Sequence, residues 1–284
     1  MLLEYSGDNN EIKNNILFIN NLLDQNPELN VSNINSGIGD ILLTKIYNNP
    51  KQIYYNIKHT LVYKPFPDNL KNVIFNIKLL YNLFTKENVK VFNKDIVVSR
   101  PILNLYLNVK EYSLMNYFNI KKSIYQNYII IHTKIRLRKG EGHIVNKIKN
   151  FCKNLFKDIK FKYKVIILGE RKIDENKETK IIDMNTIYDE CLLLKNNNNV
   201  IDLTVEKMYN TPNFQKFEED INLVNNAVCN IGFGHGGQFC INLAFSNSTI
   251  YYTSKNLIHF KIKKKNFKVY EDLNVFKYQI MTLC

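Results

Sequence analysis

Between residues 128 and 253 the chain alternates short, unbroken apolar runs with amphipathic stretches, and that alternation leaves few folds open. Tyr128-Ile129-Ile130-Ile131 is one such run, and 165–168, 200–203, 228–231 and 250–253 are the others. A strand that is apolar at every position has to be covered on both faces, as in a parallel sheet between two helix layers. Between the runs, Ile144, Ile148, Phe151 and Leu155 mark one face of a helix; 217–227 and 239–245 read as two more. Strands and helices that alternate in this way predict an α/β fold with a doubly wound parallel sheet.

The first half repeats the theme less cleanly. Ile12, Ile16, Ile19 and Leu23 predict a helix over 10–26, ended by Pro27. A short strand over 29–34 leads into Ser36-Gly37-Ile38-Gly39-Asp40 and then Ile41-Leu42-Leu43, which reads as strand, glycine turn, helix. Strands are expected at 53–57, 89–92 and 96–98, and a helix at 69–83. A second sheet of the same kind is therefore expected. The boundary falls between Tyr112 and Tyr125, giving an N-terminal domain over 1–120 and a C-terminal domain over 121–284.

Charge narrows the range of partners. The formal net charge is +13, with 39 Lys and Arg against 26 Asp and Glu. Such a balance suggests nucleic acid. Yet only four of these cations are Arg (100, 136, 138 and 171), and Arg is the residue of bidentate phosphate and base recognition. The chain also has 44 Asn and two Ala, so an AT-rich coding bias accounts for part of the lysine excess. Over 134–180 alone there are 15 basic and 6 acidic side chains, so the excess gathers in one part of the second half. The run Lys261-Ile262-Lys263-Lys264-Lys265 reads as an edge strand guarded by lysine.

Five Cys (152, 191, 229, 240 and 284) are scattered without a Cys-x-x-Cys pair, and no cluster with metal-ligand spacing is visible. Most are expected to be buried fillers. No run approaches the roughly 18 apolar residues of a membrane span, and Met1-Leu2-Leu3-Glu4-Tyr5 lacks a signal-peptide core. A reducing, cytoplasmic location is the expectation.

Four places could carry chemistry. In Gly37-Ile38-Gly39-Asp40, two glycines let the backbone approach a ligand and Asp40 falls in the first turn of a helix. In His132-Thr133-Lys134, with Arg136, Arg138 and Lys139 behind it, hydroxyl and cation lie at the end of a buried strand and suit a diphosphate. Leu168-Gly169-Glu170 is another strand end, and Glu178 beyond it could hold a ribose or sugar hydroxyl. In Gly232-Phe233-Gly234-His235-Gly236-Gly237, four of the ten glycines fall within six residues and open an apolar helix. Such a turn aims free backbone N–H groups at an anion.

The order of these motifs resembles the heptosyltransferase-like family of GT-B glycosyltransferases (glycosyltransferase family 9-like), over roughly residues 30–255. Val200-Ile-Asp-Leu-Thr204, Asn222-Leu-Val-Asn-Asn-Ala227 and Asn242-Leu-Ala-Phe245 extend the match. The resemblance implies two Rossmann-like domains with parallel sheets facing a central cleft. It implies an inverting, metal-independent transfer of a sugar from a nucleotide-sugar, which is a co-substrate rather than a cofactor. The acceptor would be a glycan, a lipid-linked molecule or a protein. Carried over residue by residue, it makes Asp40 the general base, with Gly37 and Gly39 in the acceptor-side loop. It places Thr133, Lys134, Arg136, Lys139, Gly169, Glu178, Gly234, His235, Gly236 and Gly237 around the donor. The chain departs from the family's Asp-x-Gly turn with a His three residues on: those positions read His235-Gly236-Gly237 and Cys240. A GT-B fucosyltransferase, with a His-x-Arg loop at the diphosphate, is a looser resemblance through His132 and Arg136. The alternatives are a sugar-nucleotide-binding protein without catalysis and a basic nucleic-acid-binding module.

Overall fold

A computed structural model of the chain describes residues 14, 17, 37–47, 53–57, 68–92, 113–138, 141–172, 182–206, 213–253 and 264–284. These group into two compact units, one holding the described residues up to Phe118 together with 213–216, the other the remainder. The helix expected over 10–26 is described only at Asn14 and Leu17, both helical, and the strands expected at 29–34 and 96–98 lie outside the described residues. Among the described residues no helix is long and apolar enough to cross a membrane.

In the first unit, α1 (Ile38–Tyr47) is followed by β1 (Ile53–Asn56), α2 (Asp68–Leu83) and β2 (Val89–Phe92). The two strands pair in parallel, with Ile53 opposite Val89 and Tyr55 opposite Val91, so β1–α2–β2 is a crossover unit. Helix α2 forms where apolar residues recur at helical spacing, and it buries Leu70, Val73, Ile77 and Leu80. Each fully buried aliphatic side chain of this kind contributes about 1.5–3 kcal/mol. Two polar groups are drawn inside and answered there. Asn76 donates to the Tyr55 hydroxyl at 2.9 Å. The Lys45 ammonium sits 4.5 Å from the centre of the Phe84 ring and 4.3 Å from that of Tyr117, a cation held between two aromatic faces.

The second unit carries β3 (Tyr128–Arg138), α3 (Gly142–Phe156), β4 (Lys164–Leu168), β5 (Ile182–Thr186), α4 (Tyr188–Leu192) and β6 (Val200–Asp202). It continues with α5 (Phe214–Asn226, in this unit from Phe217 on), β7 (Cys229–Gly234), α6 (Gly237–Phe245), β8 (Thr249–Tyr252), β9 (Phe267–Tyr270) and α7 (Leu273–Met281). Six strands form a parallel sheet in the order β6–β4–β3–β7–β8–β9, while β5 pairs antiparallel with the far end of β3. Numbered by appearance, the parallel strands run 3-2-1-4-5-6, the doubly wound order of Rossmann-type folds. The unit is a Rossmann-like α/β domain. The order in which strands are added reverses between β3 and β7, which run parallel, and the crevice outside their carboxyl ends is the place where such sheets bind ligands.

Both faces of the sheet are covered, as the apolar runs require. On one side Ile129, Ile131, Val165, Ile167, Phe233 and Tyr252 pack against Val145, Ile148 and Cys152 of α3 and Phe276 and Ile280 of α7. On the other, Phe239 of α6 meets Tyr251 edge-on at 5.0 Å and Phe267 at 5.2 Å. Cys152, Cys191, Cys229 and Cys240 are buried free thiols within these layers.

One sequence expectation changes. The apolar run at 128–131 is not the whole strand: β3 continues through the basic segment to Arg138, past a register shift between Ile131 and Ile135. Its physical reason is alternation. Ile135 and Leu137 are fully buried, while Lys134, Arg136 and Arg138 occupy the intervening positions of the strand. Most of the lysine run expected as an edge strand, 261–263, lies outside the described residues; the edge strand that is described is β9, at Phe267–Tyr270. Lys264 is folded inward, donating to the carbonyls of Leu243 at 2.9 Å and Ser246 at 2.6 Å. It caps the C-terminal end of α6, where a cation suits the helix dipole, and burial pulls its pKa down to about 8.

Candidate functional site

The crevice between β3 and β7 gathers most of the described second-half residues singled out in the sequence. At the end of β7 Gly234 has φ +78°, and in the turn beyond it Gly236 has φ +93°, left-handed conformations that side chains resist. A Cβ at Gly234 would collide with the Arg136 carbonyl oxygen, and one at Gly236 would lie 2.5 Å from Arg136 Cδ. The glycines are there because the Arg136 backbone and side chain lie directly against the turn. His235 N–H donates to Arg136 O at 2.8 Å, which locks the turn to the strand. Gly234→Ala is therefore expected to lower stability by about 1–3 kcal/mol from backbone strain, and more from the collision. Chemical denaturation checks this; an unchanged midpoint would refute the close approach.

Gly237 is the first residue of α6, and Gly236 is its cap. The first N–H groups of a helix have no acceptor within it and lie at the positive end of its dipole. Arg136 joins them. Its side chain crosses Gly236, with Nη1 2.9 Å from where a Cβ would be, and its Nε is buried with no hydrogen-bond partner. Gln238, in the first turn of α6, has a buried Nε2 in the same condition. Sequence reading passed over Gln238; its position just after the glycine turn, at the head of the helix, was the available signal.

Other members of the basic segment are already engaged. Thr133 is fully buried and its hydroxyl donates to Glu170 O at 2.8 Å. Gly169, at φ +124°, is glycine because a Cβ would stand 2.6 Å from that hydroxyl. Lys134 Nζ lies 3.0 Å from Glu170 Oε1, with the Glu170 side chain 2% exposed. Glu170, quoted above only as part of a strand end, is thus the carboxylate that answers Lys134. His132 is buried, its Nε2 3.2 Å from Asn242 Oδ1, and burial lowers its pKa to about 4, so the ring is neutral near pH 7. It ties β3 to α6 rather than offering a charge. His235 lies half-buried in the glycine turn.

Lys139 and Glu178 lie outside the described residues. In the first unit the helix starts at Ile38, three residues before the Ile41 that the glycine-turn reading implies. Gly37 precedes α1 and accepts from Ile41 N–H at 3.1 Å, while Gly39 and Asp40 are the second and third residues of the helix.

The crevice thus offers a cation, a carboxamide donor and the amino end of a helix, all facing the carboxyl edge of a Rossmann-like sheet. Its chemistry suits a compact anion rich in acceptor oxygens. Comparison with protein-family models, with curated proteins and with solved structures finds no match.

Proposed function

We propose that the protein is a glycosyltransferase of GT-B organisation, with the second unit holding the diphosphate of a nucleotide-sugar donor. The observation that carries this reading is Arg136 laid across the glycine turn at the head of α6, in the switch-point crevice. A diphosphate brings the acceptor oxygens and negative charge that this donor set lacks. As the sugar transfers, charge grows on the leaving phosphate, and Arg136 and the helix N–H groups stabilise it there.

In this reading Asp40 is the general base. Its carboxylate takes the proton of an acceptor hydroxyl, and the oxygen forms a bond to the anomeric carbon. The bond from that carbon to the diphosphate breaks, and its electron pair leaves on the phosphate oxygen. The anomeric centre inverts. Lys134 is not assigned to the donor here, because Glu170 engages it.

The test begins with binding. Calorimetric titration of the full chain with nucleoside diphosphates and their sugar conjugates is expected to show saturable binding to at least one. The absence of any such binding, with salt-sensitive affinity for duplex nucleic acid instead, would return the protein to the nucleic-acid class. Catalysis is tested separately. Asp40→Ala is expected to lower turnover about 10²–10⁴-fold while nucleotide affinity stays within a few-fold. Wild-type turnover in that variant removes Asp40 as the base, and nucleotide binding with no transfer by the wild type identifies a binding protein.

A further inference from the structure

Thr253 lies one residue beyond β8, 3% exposed, and its hydroxyl has no hydrogen-bond partner. A buried hydroxyl with nothing to bond is costly and rare, and it calls for a partner that the chain itself does not supply. Its place in the sheet indicates which partner. Arg136 is in register with Gly234, and the adjoining pair Phe233 and Tyr252 puts Thr253 beside Gly234 on the next strand. Arg136, Gly234 and Thr253 therefore form one row across three neighbouring strands. Residues in register on parallel strands project to the same face. The preceding row, Ile135, Phe233 and Tyr252, points into the core on the opposite side. Tyr251, two residues before Thr253, packs on Phe239 of α6, so the row of Thr253 faces the α6 side.

We infer that Thr253, with Arg136 and Gln238, forms the binding site of a single phosphoryl group. Arg136 Nε, Gln238 Nε2 and Thr253 Oγ1 are three buried atoms without partners around one turn, and each can donate. No carboxylate belongs to the set. A tetrahedral oxyanion satisfies all three and meets the N–H groups of α6 at the same time. The inference rests on the reading that the crevice takes a diphosphate, and it adds the residues that grip one of its two phosphates.

Inorganic pyrophosphate is the probe, because it carries the shared chemistry without a base or a sugar. In titrations of the full chain, Thr253→Val is expected to weaken pyrophosphate binding about tenfold, the usual effect of losing one hydrogen bond to a charged group. The same variant should unfold at an equal or higher temperature without ligand, since the unanswered hydroxyl is gone. Thr253→Ser should bind as the wild type does. Pyrophosphate affinity unchanged in Thr253→Val, but lost in Arg136→Gln, overturns the role of Thr253 and leaves the crevice as an anion site. Failure of the wild type to bind pyrophosphate overturns both.

Discussion

On the proposed reading, Arg136→Gln is expected to weaken nucleoside-diphosphate binding by about 2–5 kcal/mol, roughly 30-fold to several thousand-fold. The size follows from where the guanidinium lies. It rests on Gly236 at the head of α6, and its Nε is already stripped of water without gaining a partner. Within the chain that donor has no partner to lose, so the variant should be no less stable than the wild type. On the proposed reading a phosphate oxygen meets this buried donor, and a charge-assisted hydrogen bond of that kind is strong. The two measurements therefore move in different directions: calorimetric affinity falls and the unfolding midpoint holds. Arg136→Lys should fall between, because a lysine keeps the charge and loses the fixed fork. Affinity within about threefold of wild type in Arg136→Gln would remove the anion site from this crevice.

Lys134→Met is expected to destabilise the second unit by about 3–5 kcal/mol, the usual cost of leaving one member of a buried ion pair alone. The Glu170 side chain is 2% exposed, and Lys134 Nζ at 3.0 Å is its ion-pair partner. For a domain whose whole stability is about 5–15 kcal/mol, that is a large fraction. The companion variant Lys134→Met/Glu170→Leu removes both charges and should recover most of the loss. Urea denaturation of the two variants measures this directly. The double variant also separates two roles for the lysine. With Lys134 committed to Glu170, the folded double variant should bind nucleoside diphosphate within a few-fold of wild type. Loss of binding in a folded double variant would restore Lys134 to the donor.

The legible part of this fold was the part written in apolar residues. Runs such as Tyr128-Ile129-Ile130-Ile131 announce buried parallel strands because a strand covered on both faces has no position for a polar side chain. The glycine cluster was legible for a related reason: a chain poor in glycine spends four of them where the backbone turns against Arg136. What stayed hidden was written in charge. Lys134, Arg136 and Arg138 look like a solvated loop, yet Ile135 and Leu137 between them hold the segment in the sheet. A period of two over five residues is easily masked by the cations that share it. Nor does a sequence say which cation is answered. Lys134 and Arg136 are two residues apart on one strand, and only the fold brings Glu170 to the first and leaves the second on a glycine. Thr253 was invisible for the same reason, since its neighbours in space are strands encoded far away.

That last point bears on how the molecule is made. Ile131 at the centre of the sheet is in register with Ile231, 100 residues later in the chain. At a synthesis rate of about 5–20 residues per second, β3 waits roughly 5–20 s before its partner exists. Until then only β4 and β5 can shelter β3 along one edge, and the other presents an apolar, unpaired strand. Pairings this distant in sequence close slowly, and species with open edges are prone to associate with one another. The switch point that gives the fold its crevice is thus also the seam that joins the strands farthest apart in the chain, and the half-made sheet is the form of the protein most in need of a chaperone.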